Sequence, residues 1–192
     1  MSERQKSGRR AFLLINFLFF GPLALAVFIY ATGGWRPGGS TENGELLWPP
    51  VTIPDITLQP ASDNNPRKHL RDVWNLLYTG PGDCDDSCKN RLIDMRQMRL
   101  TFGKDANRLQ LVFLADSGSV DRSYITAEHP ALLVAEPENT GAQLAVLEEY
   151  AAGDLYLVDP QGNVILKYPS DMPIADVRKD IKKLLKFCLL YT

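Results

Sequence analysis

"YTGPGDCDDSCKNRL", residues 78–92, decides how the rest of the chain is read. Two of the protein's three cysteines, Cys84 and Cys88, stand four positions apart after an apolar run, with Asp85 and Asp86 between them. On one helical turn, positions i and i+4 place their Cα atoms about 6 Å apart on a shared face. That separation suits a disulfide. It equally suits two thiolates around one soft cation such as Cu(I). A helix N-terminus stabilises a thiolate, whereas neighbouring carboxylates oppose it, so local electrostatics do not choose. A metal clamp, a redox pair and a structural staple all remain open.

Compartment narrows the choice. Residues 11–31, "AFLLINFLFFGPLALAVFIYA", contain one strongly polar side chain, Asn16. A helix needs about 20 apolar residues to cross a bilayer core, and Gly21 and Pro22 are tolerated there. Arg4, Lys6, Arg9 and Arg10 precede the run and Glu42 and Glu45 follow it. The positive-inside bias therefore keeps residues 1–10 in the cytoplasm and sends the chain beyond the run outward. Tyr30 and Trp35 suit the outer interface. A cleaved signal peptide, with "ALA" at 24–26 as its cleavage box, is the competing reading, opposed by the apolar "VFIYA" that follows. Either way the cysteines lie outside the cytoplasm, where a disulfide persists.

Residues 32–66 read as a tether, because Pro37, Pro49, Pro50, Pro54, Pro60 and Pro66 and two glycine-rich stretches favour an extended spacer. "VTIPDITL" within it could lie along the domain as an edge strand, although Pro54 argues against a central one. From residue 67 to 192 strand and helix patterns alternate. Strands are expected at 73–79, 109–115 and 131–135. A helix is expected from Cys84 to about Phe102, with Leu92, Met95, Met98 and Phe102 on one side. Thr140 and Gln143 form a capping box before a short helix. "DLYLVDPQGNVILKY" reads as a hairpin around Asp159-Pro160-Gln161-Gly162. A last helix carries Ile174, Val177, Ile181, Leu184, Leu185 and Cys188 on one face. This order predicts an α/β, thioredoxin-like mixed sheet with helices on both faces, preceded by one transmembrane helix. The cysteine pair then sits where the first strand meets its helix, a functional edge of that fold.

Here the sequence resembles a known family. "WNLLYTGPGDCDDSCKNRLIDMRQM" is similar to the core of the Sco/SenC proteins, membrane-tethered thioredoxin-like factors that assist copper insertion into cytochrome c oxidase. Tyr78, Gly80, Cys84, Asp86 and Cys88 fall on matching positions, and "LYLVDPQGNVI" resembles the family's late hairpin. The likeness covers about residues 72–190. It departs where the family has a proline after each cysteine, since Asp85 and Lys89 stand there. It departs again at the family's third copper ligand, a histidine, where Tyr150 and Ala151 fall. The protein's two histidines are His69 and His129, and a solvated loop position is the ordinary reading of each. No proline precedes "DLYLV", where thioredoxins carry a cis-proline.

The resemblance implies a single-pass protein of the bacterial cytoplasmic (inner) membrane, N-terminus in the cytoplasm and C-terminal domain periplasmic. It implies an assembly factor for a respiratory oxidase, partnered by an oxidase subunit or other assembly factors. Cys84 and Cys88 would hold Cu(I) or maintain the client's copper-site thiols. A metal-free thiol-disulfide reductase, with the same two cysteines catalytic, is the alternative if the protein is an enzyme. A docking scaffold whose pair is only a staple is the third. Met95 and Met98 read as core, Cys188 as buried and inert. Asp116, Asp121 and Glu128 show no metal-site spacing. A net charge of −2 gives no reason to expect nucleic acid.

Overall fold

The computed structural model describes residues 3–32, 42–56, 58–62, 67–136 and 153–187. The chain divides into two compact units, Met1–Thr41 and Glu42–Thr192. In the first, helix α1 (Glu3–Thr32) runs for 30 residues through Pro22. Phe12, Leu14, Ile15, Phe17 and Phe28 are among its large apolar side chains that stand exposed, and Asn16 donates its amide back to the Phe12 carbonyl. Counted over the described residues, no helix is long and apolar enough to cross a membrane.

The second unit is a mixed sheet flanked by helices. Its elements are β1 (Glu45–Thr52), β2 (Gln59–Pro60), β3 (Trp74–Gly80), α2 (Asp86–Leu100) and a 3-10 turn (Gly103–Arg108). β4 (Leu109–Ala115), α3 (Arg122–Glu128), β5 (Leu132–Ala135), β6 (Leu155–Val158), β7 (Asn163–Tyr168) and α4 (Ile174–Phe187) follow. The strand order is β1-β7-β6-β3-β4-β5-β2. β3, β4 and β5 are parallel, and β6 runs antiparallel to β3. Every residue of β3 and β4 is buried, as expected of central strands covered on both faces.

Strand alternation divides the core in two. Leu76, Tyr78, Leu111, Phe113, Leu155 and Leu157 face one side, with Cys84, Cys88, Leu92 and Met95 around α2 and Val177, Ile181 and Leu185 of α4. Leu77, Val112, Leu133, Tyr156 and Val158 face the other. A bulge in the β6–β7 ladder, where Val158 pairs with Val164 and Leu157 with Leu166, sets Val164 on the face opposite Leu166 and Tyr168.

The sequence-based outline differs from this in the segment before β3. Glu45–Thr52 and Gln59–Pro60, expected within the spacer, are strands of the sheet. β1 pairs with β7 at one edge and β2 with β5 at the other. Ile53, Ile56 and Leu58 between them are fully buried. The prolines sit where no ladder donor is lost: Pro49 and Pro50 fall in a register shift of the edge strand β1, the position such residues tolerate. Helices are expected on both faces, and the described ones flank the sheet. Among the described residues, those of α2, α3 and α4 pack in the first cluster, while the extended segment around Ile53–Leu58 covers the second. The helix expected after Thr140 and Gln143 lies outside the described residues.

The hairpin forms as expected. Gly162 donates to the Asp159 carbonyl at 2.9 Å, and the Asp159 carboxylate accepts from the backbone of Gln161 and Asn163.

Candidate functional site

The C-terminal end of β3 carries the site. Tyr78 stacks on Phe113 of β4, with ring centroids 5.9 Å apart, and forms its floor. The chain then turns through residues 81–84, where Cys84 donates its backbone N–H to the Pro81 carbonyl at 3.1 Å. Cys84 takes φ +26°, a left-handed value uncommon for a non-glycine residue and frequent at functional turns. Asp85 caps α2, its Oδ1 accepting from the Cys88 N–H at 2.9 Å. This cap satisfies a free donor of the first turn and places Cys88 on the inward face of the helix. The two sulfurs are joined in a disulfide with Cα atoms 5.1 Å apart, and both cysteines are buried, at 3% and 1% exposure.

The surroundings are built by loops that periodicity does not reveal. Gly82 donates to the Ser117 carbonyl at 2.6 Å, and a Cβ on Gly82 would lie 2.9 Å from that oxygen. The cysteine turn is thus fitted against the loop after β4, "DSGSV". Across the site, Gly153, at φ +92°, donates to the Thr79 carbonyl at 2.8 Å. Arg91, one turn beyond Cys88, donates to the carbonyls of Pro169, Ser170 and Met172. It thereby ties α2 to the connection between β7 and α4. A cleft of about 240 Å³ remains there, lined by Tyr78, Ser87, Asn90, Arg91, Asp94, Gly153 and Ser170. Burial raises the Tyr78 phenol pKa, reinforced by Asp85 and Asp116 and opposed by Arg91, so it stays a neutral hydroxyl at this edge. In the sequence, Gly153 before a strand and the small residues after β4 are the visible signals, but neither says what it touches.

The histidines do not join the pair. His69 lies beyond the N-terminal end of β3 and faces Asp55 at 3.5 Å, both exposed. That is the opposite end of a seven-residue strand, roughly 20 Å away at ordinary strand rise. His129 is buried at the end of α3, its Nε2 3.4 Å from the Tyr124 hydroxyl. Lys89, the residue after Cys88, covers the Tyr124 ring at 5.3 Å. His129 is thus separated from the cysteine turn by Tyr124 and Lys89. Burial, with Arg96 adding to it and Glu128 opposing, lowers its pKa.

Among the described residues, no three His, Cys, Asp or Glu side chains converge as a metal site. Tyr150 and Ala151, at the position of the family's third ligand, lie outside the described residues, as does Cys188. Met95 and Met98 are core residues. Asp121 caps α3, Glu128 pairs with Arg96 at 3.3 Å, and Asp116 accepts from Ser117.

Comparison with known proteins agrees with this architecture. No curated protein matches the chain. Yeast Sco1 solved with copper bound is similar at 18% identity and a TM-score of 0.55, over 71% of this chain and 94% of that one. The solution structure of apo Sco1 from Thermus thermophilus gives 21% identity and 0.55, over 77% and 99%. A thiol:disulfide interchange protein from Bacteroides sp. gives 14% and 0.53, over 71% and 90%. At such identities the likeness is one of fold, shared by copper-bound and thiol-exchanging proteins alike. Residues 74–188 match the profile described as transmembrane-like, thioredoxin-like, C-terminal domain. This span is more than half of the protein and holds the whole cysteine site, so the chain belongs to the transmembrane-like, thioredoxin-like family and carries the Sco-like form of the thioredoxin fold.

Proposed function

We propose that this protein handles Cu(I) or the thiols that receive it, through Cys84 and Cys88, as a membrane-anchored assembly factor for a respiratory oxidase. One observation carries the reading: the two sulfurs stand together at the mouth of β3 and the start of α2, the edge at which this fold performs thiol chemistry. Opening the disulfide takes up two electrons and two protons, supplied by an external thiol reductant, and leaves two thiols. These lose their protons to hold one Cu(I) as a pair of thiolates. Two thiolates suffice for that ion, which accepts low coordination, whereas Cu(II) prefers nitrogen or oxygen donors as well.

The anchor is residues 11–31 taken whole. Supporting it are the exposed apolar side chains of α1 and the internal bond of Asn16, which leaves the run's one polar amide satisfied within the helix. The charge asymmetry then sets the domain outside the cytoplasm, in the periplasm of a bacterial inner membrane. The oxidase client rests on the sequence resemblance to Sco/SenC.

Cu(I) titration of the reduced, full-length protein against a chromophoric chelator tests the reading. One Cu(I) per chain is expected, lost in both Cys84→Ser and Cys88→Ser. A reduced chain that takes up no Cu(I) would remove the metal.

The burial of both cysteines favours a second reading, a structural staple. A reduction potential below about −300 mV would support the staple, whereas one between about −270 and −120 mV would support a metal-free thiol exchanger.

A further inference from the structure

At the far end of the sheet from the cysteines, the 3-10 turn and α4 enclose a second feature. A groove of about 290 Å³ is lined by Thr101, Phe102, Lys104, Asp105, Arg178, Lys182, Leu185 and Lys186. Its floor is apolar, formed by Phe102 and the buried Leu185, and its rim is cationic. Asp105, the one carboxylate in the lining, is held by Arg108 at 3.7 Å, and Arg108 also donates to the Leu185 carbonyl. Lys104, Arg178, Lys182 and Lys186 make no ion pair among the described residues.

Arg178, Lys182 and Lys186 repeat every four residues, forming one stripe of like charge along α4. Like charges at that spacing destabilise a helix, so the stripe is not explained by folding. It also stands out on a chain whose net charge is −2. The groove lies at the lower limit of small-molecule sites, which begin near about 300 Å³, and therefore has room for one or two apolar side chains.

We propose that this groove docks an acidic polypeptide segment of a partner, whose apolar side chain enters between Phe102 and Leu185 while its carboxylates meet the lysine rim. Charge complementarity selects the sign, and the apolar floor selects a polypeptide over a simple anion. Anionic lipid would satisfy the rim. Lipid headgroups alone, however, would leave the floor of Phe102 and Leu185 unfilled. The partner is accordingly held at the end of the sheet away from the cysteines.

Fluorescence anisotropy on the full-length protein in phosphatidylcholine nanodiscs tests this, with a fluorescein-labelled peptide of repeated Glu-Glu-Leu as probe. Saturable binding is expected, weakened about tenfold in Lys182→Glu/Lys186→Glu and suppressed as salt rises from about 0.05 to 0.5 M. Replacing the probe's leucines by serine should also weaken it. Lys182→Gln/Lys186→Gln should lose affinity in the same direction with less repulsion. The proposal is overturned if the double-Glu variant binds as the wild type does, or if a Lys-for-Glu peptide binds equally well. It is likewise overturned, in favour of lipid, if phosphatidylglycerol discs protect Lys182 and Lys186 from acetylation while the peptide does not bind.

Discussion

The two ends of the sheet use the same materials to opposite effect. At the cysteine end, a left-handed cysteine, a capped helix and two loops fitted at backbone distance enclose two buried sulfurs. At the other end, cations stand exposed around a shallow apolar floor. Close fitting shields the sulfur pair from solvent and fixes its geometry, whereas the charged rim stays open at the surface. The contrast teaches where substitutions will be felt. A change at the tight end should disturb the sulfur pair and stability together, and a change of an exposed cation at the open end should leave stability nearly unchanged.

The sharpest test of this contrast is removal of a sulfur. Cys84→Ser or Cys88→Ser should take Cu(I) stoichiometry from one to none. It should also cost about 2 kcal/mol, the value expected for a disulfide closing so short a loop, read as a lowered urea midpoint. Lys182→Glu/Lys186→Glu should leave Cu(I) uptake intact. If the lysine variant lost copper, the two ends would not be independent.

A pair of glycines sharpens it further. Gly82→Ala places a methyl 2.9 Å from the Ser117 oxygen, and should cost about 1–3 kcal/mol as the two loops separate. Gly103, in the turn at the open end, has φ +55°, but a methyl group added there would meet nothing within 4 Å. Gly103→Ala should therefore cost only the backbone preference against the left-handed region, about 1 kcal/mol. Equal losses of denaturation midpoint would break the comparison.

Smaller still is the cap. Asp85→Ala should cost about 1 kcal/mol, and Asp85→Asn should restore most of it, since an amide oxygen can accept the same bond from Cys88.

His129 gives a pH-dependent effect on the cysteine side of the fold. Burial holds its folded pKa below 6.5, so the unfolded chain takes up a proton first as the solution is acidified. The stability tied to the neutral imidazole is complete above pH 6.5. It declines as pH falls through the window between the unfolded and folded pKa values. Thermal unfolding near about pH 7.5 and pH 5.5 should show a loss for the wild type that shrinks in His129→Gln. A fall of equal size in the variant would assign the effect to other groups. At the opposite extreme, the two lysine substitutions on α4 should leave stability within about 0.5 kcal/mol, as exposed sites do.

Much of the fold is legible in the sequence because its signals are local. The apolar run at 109–115 is β4 to the residue, Leu92, Met95 and Met98 form the buried face of α2, and the turn residues at 159–162 close the hairpin. The segment 45–60 reads as spacer only while its prolines are weighed by composition. Their cost depends on whether a ladder donor is lost, and at a bulged edge none is. The loops at 81–84, 116–119 and 153 are illegible for a related reason, since their contacts join residues far apart in the chain.

By itself, the sequence determined that two cysteines four residues apart would stand where a central strand passes into α2. The helix expected from Cys84 starts at Asp86, so that Cys84 lies in the preceding turn and only Cys88 on the helix. Spacing, capping and hydrophobic period are properties of neighbours along the chain. Only the tertiary structure decided that neither His69 nor His129 accompanies them, and that Gly82, Ser117, Gly153 and Arg91 do. It alone gathered Lys104 from a turn and three cations from α4 around Phe102 and Leu185. Those relations follow from sheet order and register, and one crossover between parallel strands moves a residue from one end of the molecule to the other. No periodicity within a segment encodes which end that will be.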